Sequence, residues 1–182
     1  KLLQSKMGNN YEKEYFLKHD FEYKNIKFNI EGRADGIILE EGHVIVDEIK
    51  STYIDLDMID EKYNLAHIGQ VKCYAYIYSL QNELEEIFVQ LRYYNLDSKI
   101  TKVFTNKYSF KELESFFYDL INRYIDWAET VINLHKIRTE TINNLQFPFD
   151  NYRQGQRDFS VAVYKTIKSG KKLFAQAPTG VG

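Results

Sequence analysis

Cysteine is almost missing from this chain, with Cys73 the one example in 182 residues. A single thiol excludes a disulfide framework, a Cys-based zinc site and a four-Cys iron–sulfur cluster within these residues. It also points to a reducing, cytoplasmic compartment. No run approaches the ~20 apolar residues of a membrane span, and no basic-then-apolar leader precedes a cleavage site. No membrane partner is expected. A basic surplus is lacking too. The formal net charge is −2, so the overall electrostatic footprint of a nucleic-acid binder is absent. A nuclease or phosphate-handling enzyme stays allowed, because metal ions neutralise a carboxylate-rich site.

What is present is enough to fold. The composition is 44% hydrophobic and 27% charged, about one domain with a little left over. Two prolines stand against fifteen tyrosines and twelve phenylalanines, and most of these aromatics read as core. Charge is unevenly placed: acids outnumber bases up to residue 147. Beyond it, Arg153, Arg157, Lys165, Lys168, Lys171 and Lys172 face only Asp150 and Asp158.

Residues 1–19 read as a helix, through Leu3, Met7, Tyr11, Tyr15 and Phe16. Alternation then predicts strand over Phe21–Tyr23 and again over Ile26, Phe28 and Ile30, with Asn25 as punctuation. Arg33–Glu40 and His43–Lys50 predict a β-hairpin about Glu41-Gly42. Residues 51–61 read as loop and Tyr63–Leu80 as a helix. Ile87–Leu96 and Ile100–Lys107 read as a second hairpin. Ser109 and Glu112 make a capping box for a long helix running to about Asn143. The expected class is α/β, a mixed β-sheet flanked by helices. Pro148 marks a boundary; beyond it Arg153–Ser169 reads as helix and Lys172–Gln176 as a short strand.

The pattern (Asp/Glu)-x-Lys occurs at Glu22, Glu48, Asp60 and Asp97, so the tripeptide alone carries nothing. Context separates them. Only Glu48-Ile49-Lys50 closes an apolar strand whose hairpin partner carries an acid, Asp35. Glu48 and Lys50 share a strand face. A turn at Glu41-Gly42 sets Asp35 opposite the region of Glu48, ~5 Å across the ladder, close enough for two carboxylates to share a cation. Such oxygen donors suit Mg²⁺ or Mn²⁺. The plain alternative is an exposed Asp and a surface Glu–Lys pair. On the helix, Gln70 and Tyr74 share a face, with His67 one turn earlier. Ordinary half-buried packing of Tyr74 and Tyr78, and a structural role for His67, are the bland readings.

Gly32-Arg33-Ala34-Asp35-Gly36, Asp47-Glu48-Ile49-Lys50 and Gln70-x-x-x-Tyr74, in that order, resemble the PD-(D/E)XK nuclease superfamily in its RecB-like exonuclease branch. The resemblance covers about residues 10–96. It implies a restriction-endonuclease-like fold and a metal-dependent DNA nuclease, with DNA as partner. By the same pattern Asp35, Glu48 and the Ile49 carbonyl are metal ligands. Lys50 then orients or activates water, and Gln70 and Tyr74 position substrate. Many relatives add a ligand from the first helix; Glu12, Glu14 or His19 are the stand-ins. The tail resembles the opening of an XPD/DinG-type superfamily-two DNA helicase, through Tyr152-Arg153-x-x-Gln156 and the loop Ala177-Pro178-Thr179-Gly180-Val181-Gly182. In that family the Gln region, here Arg153 and Gln156, meets adenine. The glycine loop, here Thr179, Gly180 and Gly182, cradles phosphates. The loop stops before its lysine, so ATP belongs to a longer polypeptide that supplies the rest of the helicase. The expected organisation is a nuclease domain over 1–147 and the start of a helicase ATPase domain over 148–182. A nuclease fold without catalysis, holding DNA for the attached helicase, is the alternative.

Overall fold

The structure, a computed structural model, describes residues 4, 7–40 and 42–176. Five strands form one mixed sheet in sequence order: β1 (Tyr11–Tyr23), β2 (Ile26–Glu40), β3 (His43–Thr52), β4 (Glu86–Asn95) and β5 (Thr101–Ser109). Neighbours pair antiparallel except β3 and β4, which run parallel. A parallel pair needs a crossover, and α1 (Leu65–Asn82) makes it. After β5 come α2 (Phe110–Asn143) and α3 (Gln156–Lys168). This is an α/β fold with a mixed sheet flanked by helices. The chain divides into two compact units, Lys1–Ala128 and Glu129–Gly182, and the division falls inside α2, ahead of Pro148.

The first element departs from expectation. Tyr11–Tyr23 is a strand, not the end of a helix; residues 1–3, 5 and 6 of the expected helix lie outside the described residues. Tyr11 and Tyr15 are four apart, a spacing that both a helix and a strand accept. The decisive signal is the period of two over Tyr15, Leu17, His19, Phe21 and Tyr23, all of it turned to the core side. Lys24 and Asn25, both at positive φ, make the two-residue turn into β2. β2 then runs unbroken where two separate strands were expected. β3 extends to Thr52, and a 3₁₀ turn at Leu56–Met58 interrupts the expected loop. Lys172–Gln176 forms no strand. The capping box stands as expected: the Ser109 N–H donates to Glu112 at 2.8 Å, and the Ser109 hydroxyl accepts from the Glu112 N–H at 3.3 Å.

One core joins the sheet, α1 and the first half of α2. Leu17, Ala34, Ile37, Val46, Val71, Ala75 and Tyr76 pack with Leu113, Phe117, Ile121 and Ile125. The α2 residues recur every fourth position, the stripe a helix needs to lie on a neighbour. No α2 residue beyond Ala128 is buried.

The opposite face of the sheet holds a buried polar network. Asp47 is fully buried. It accepts from Arg92 Nε at 2.7 Å, Gln90 Nε2 at 2.8 Å and the Tyr11 hydroxyl at 3.1 Å. Thr105 donates to the Gln90 carbonyl at 3.0 Å. The Tyr11 ring reaches Asp47 by crossing the backbone of Gly36, where a Cβ would come within 2.0 Å of it. Three of the five strands thus meet at one carboxylate, and β5 joins through Gln90.

Removing one member of a buried ion pair strands the others, a loss of ~3 kcal/mol. Asp47→Ala is expected to lower unfolding stability by that order in urea denaturation. Arg123→Ala, which breaks the exposed Arg123–Asp119 pair, is expected to change nothing measurable.

Candidate active site

The site forms where β2 and β3 part. Their ladder ends at Gly36–Asp47, in the register the hairpin turn predicted, with Gly42 at φ 85° closing the turn. Glu41 lies outside the described residues. One step past the last pair, Asp35 and Glu48 no longer exchange ladder bonds. Asp35 Oδ2 instead accepts from the Ile49 N–H at 2.7 Å. In extended backbone a residue's N–H and C=O point to the same side, so the Ile49 carbonyl is directed to the Asp35 side as well.

Asp35 owes its position to a change of phase. The core-facing residues of β2 are even-numbered up to Ala34 and resume at Ile37; in β1 the pairing skips Glu14, opposite Asp35. Glu14 sits at φ 56°, a left-handed conformation unusual for a non-glycine residue. The reversal takes Asp35 out of the regular alternation at the point where its neighbour strand diverges.

Beyond the parting, Glu48 and Lys50 face α1. Lys50 Nζ donates to Glu48 Oε1 at 2.7 Å and to Gln70 Oε1 at 2.8 Å. Gln70 Nε2 donates to the Tyr74 hydroxyl at 3.1 Å. Glu48, Lys50, Gln70 and Tyr74 therefore form one hydrogen-bonded chain from strand to helix. Tyr74 lies against the backbone of Gly32, where a Cβ would stand 2.4 Å from its ring. Glycine at 32 is what admits the ring. On the same helix, His67 Nδ1 is 2.9 Å from the Tyr93 hydroxyl.

The electrostatics are unbalanced. Burial raises the Glu48 and Asp35 carboxyls above the ordinary range; Lys50 and the main-chain donors pull them back only in part. Glu48 is 4% exposed, and its Oε2 is buried with no hydrogen-bond partner. A buried carboxylate oxygen without a donor is costly, and a divalent cation is the group that would relieve it. Two carboxylates and a main-chain carbonyl are the hard oxygen donors Mg²⁺ and Mn²⁺ prefer. Among the described residues no group of three His, Cys, Asp or Glu side chains is placed to hold a metal, at this site or elsewhere, so the donors here are two carboxylates and a main-chain carbonyl.

The three stand-ins for a first-element ligand separate. Glu14 is the one near Asp35: Gln4 Nε2 lies 3.3 Å from Glu14 Oε1 and 3.5 Å from Asp35 Oδ1, and Arg33 is 3.9 Å from its other oxygen. Glu12 is exposed and pairs with Ile37. His19 is stacked on Phe21 among Tyr76 and Phe117, its burial favouring the neutral ring. All three lie on a strand, not a helix. Tyr78 is a packing residue, edge-on to Tyr15. Cys73 is largely buried, its thiol pushed up to about 11. In the tail, Gln156 opens α3 and accepts from the Arg153 N–H at 3.1 Å; Thr179, Gly180 and Gly182 lie outside the described residues. The Asp47 network was not foreseen. Its signal was an acid inside the apolar strand Val44–Ile49, on the face opposite Glu48.

No family model matches the chain, and no curated protein does. A solved structure titled "Crystal structure of SSO0001" is similar to it with 23% identity and a TM-score of 0.41, over 62% of this chain. The match covers 50% of that chain. A likeness of that size carries no argument about fold or function. No helix among the described residues is long and apolar enough to cross a membrane.

The raised Glu48 pKa gives a signed expectation. Its folded value exceeds its unfolded one, so the linked stability is full at and below the ordinary carboxylate range and is lost as pH rises through the raised value. Glu48→Gln is expected to match the wild type in acidic, metal-free buffer and to melt higher near neutrality. Mn²⁺ is expected to raise the melting temperature of the wild type at neutral pH and not that of the variant. A variant destabilised equally at every pH would show that the Glu48 charge is not strained.

Proposed function

We propose that residues 1–147 form a metal-dependent deoxyribonuclease domain that hydrolyses DNA phosphodiester bonds. The observation that carries this reading is the buried, unpartnered Oε2 of Glu48. It lies on a carboxylate tied to Lys50 and next to Asp35, at the parting of two strands. A purely structural ion pair has no use for an orphaned oxygen there. The ordered triplet of motifs supports the same reading, and so does the restriction-endonuclease-like order of strands and crossover helix.

Asp35, Glu48 and the Ile49 carbonyl would hold Mg²⁺ or Mn²⁺. Such an ion, if bound, would supply Lewis acidity to a phosphoryl oxygen and to water. The chain's own groups do the rest. Lys50 has three ammonium protons and spends two, on Glu48 and Gln70. The third can be given to a water or to a phosphate oxygen, where it offsets charge developing at phosphorus. Gln70 fixes the ammonium from the helix side. Tyr74, held by Gln70 and seated on Gly32, can present its hydroxyl to a phosphate or a base edge.

In this reading residues 148–182 open a helicase ATPase domain, on the strength of Arg153, Gln156 and the glycine loop. DNA is the partner, and the attached helicase supplies the ATP-dependent step.

Asp35→Ala and Glu48→Ala are each expected to abolish Mg²⁺-dependent cleavage of labelled DNA while leaving the circular dichroism spectrum unchanged. Lys50→Ala is expected to slow the single-turnover step by ~10²-fold or more, with DNA binding nearly intact. Gln70→Ala and Tyr74→Phe should mainly weaken substrate placement. If the wild type retains DNA but cuts none in saturating Mn²⁺, the domain holds DNA without catalysis and the nuclease reading fails.

A further inference from the structure

The sequence gives His67 no distinctive context, yet its surroundings are specific. Lys50 and Tyr93 are lateral neighbours on the parallel β3–β4 ladder, ~5 Å apart and on one face. The Tyr93 hydroxyl meets His67 Nδ1 at 2.9 Å, so the ladder neighbour of Lys50 holds the His67 ring beside it. His67 and Gln70 are three apart on α1 and so share a face. The Lys50 charge is felt at His67, where burial and that charge both favour the neutral imidazole.

The hydrogen bond also sets the tautomer. Tyr93 is 2% exposed, and burial keeps its phenol protonated. A buried hydroxyl proton needs an acceptor. Among the described residues His67 Nδ1 is the one it has. With Nδ1 accepting, the proton of a neutral imidazole sits on Nε2, and no described residue takes it. Directly against Tyr93 stands Tyr63, edge to face at 5.8 Å and 88°. Tyr63 is 41% exposed. A fixed N–H donor and an exposed aromatic ring thus share one buried tyrosine as their support, next to the Lys50 ammonium.

Resting on the nuclease reading, we propose that His67 and Tyr63 form a nucleotide subsite for single-stranded DNA flanking the scissile phosphate. His67 Nε2–H donates to a non-bridging phosphate oxygen and the exposed face of Tyr63 stacks the adjoining base. Single-stranded substrate follows from the ring: a base can lie on Tyr63 only when it is not stacked in a duplex. A neutral donor suits this position because a second cation beside Lys50 would be repelled, whereas a neutral N–H still binds an anionic oxygen. The subsite works through the phosphate and the π-face that every nucleotide carries, so it tolerates any sequence.

The test uses the full 182-residue chain and a fluorescent oligo(dT), with anisotropy in EDTA and cleavage in Mn²⁺ read separately. Loss of a hydrogen bond to a charged group in His67→Ala is expected to weaken oligo(dT) binding by about 10-fold or more. Tyr63→Ala is expected to weaken it by about 5-fold or more, with Tyr63→Phe near wild type, since stacking needs the ring and not the hydroxyl. Duplex of the same length should respond to neither change. Tyr93→Phe keeps the packing and removes the hydroxyl: ¹⁵N shifts of His67 should move from a single Nε2–H tautomer to a mixture, and KM should rise with little change in kcat. Thermal melts identify any variant that fails to fold, and Tyr63→Phe and Tyr93→Phe then carry the comparison. Variants that bind single strands like the wild type, or an Nδ1–H tautomer in the wild type, overturn the subsite. Because binding is measured without metal, a wild type that binds but does not cleave sinks the nuclease reading and leaves the subsite to be judged on binding alone.

Discussion

Asp47 and Glu48 are neighbours in one strand, so they point to opposite faces, and the two fates are coupled. On one side Asp47 is gripped by Arg92, Gln90 and Tyr11, drawn from β4 and β1. That grip fixes β3 laterally between its neighbours. On the β2 side the ladder stops at Gly36–Asp47, and from there β3 is held by its parallel pairing with β4, which runs on to Thr52, and by this grip. The strand that must carry Glu48 and Lys50 past that point is anchored by the last residue before it. Gly36 belongs to the same device, since any side chain there would block the Tyr11 ring.

Once β3 is anchored, the parting of the strands can be put to use. Main-chain groups released from the ladder need partners, and an acid supplies one. Asp35 takes the Ile49 N–H. That bond ties Asp35 to β3 next to Glu48, although burial and the nearby Asp35 charge both oppose the Glu48 charge. Lys50 offsets part of that and leaves Glu48 Oε2 unmatched. In the proposed reading a cation would relieve that imbalance, which a finished salt bridge would not leave.

Much of this was legible in the sequence because it depends on local periodicity. The hairpin register follows from one turn, and it placed Asp35 beside Glu48. The spacing of Gln70 and Tyr74 put both on the helix face that meets Lys50. The capping box located the start of α2 to the residue. The first strand was misread for a physical reason: apolar residues four apart satisfy both periods, and the inward phase of β1 changes across Glu14. A reversal of phase destroys the alternation that identifies a strand, and here it falls on the residue opposite Asp35. The Asp47 network was hidden because its partners are scattered over three strands, joined only by tertiary register. Helical spacing put His67 near the face of Gln70 and Tyr74, but its partner, Tyr93 on β4, is brought to it only by tertiary register.

The crossover helix explains why these scattered groups converge. A parallel β3–β4 pair forces the chain over the sheet, and α1 must then lie across the strand that carries Glu48 and Lys50. Its N-cap, Asn64, accepts from the Ala66 and His67 N–H groups and so fixes where the first turn begins. From that start, residues 67, 70 and 74 project to one side by helical geometry alone, while Val71 and Ala75 go into the core. Core packing thus sets the height and rotation of the polar stripe. A side chain at Gly32 would push Tyr74 and, through Gln70, the Lys50 ammonium. The site is a by-product of how the helix is seated, and the glycine that seats it is as much a part of the chemistry as the lysine.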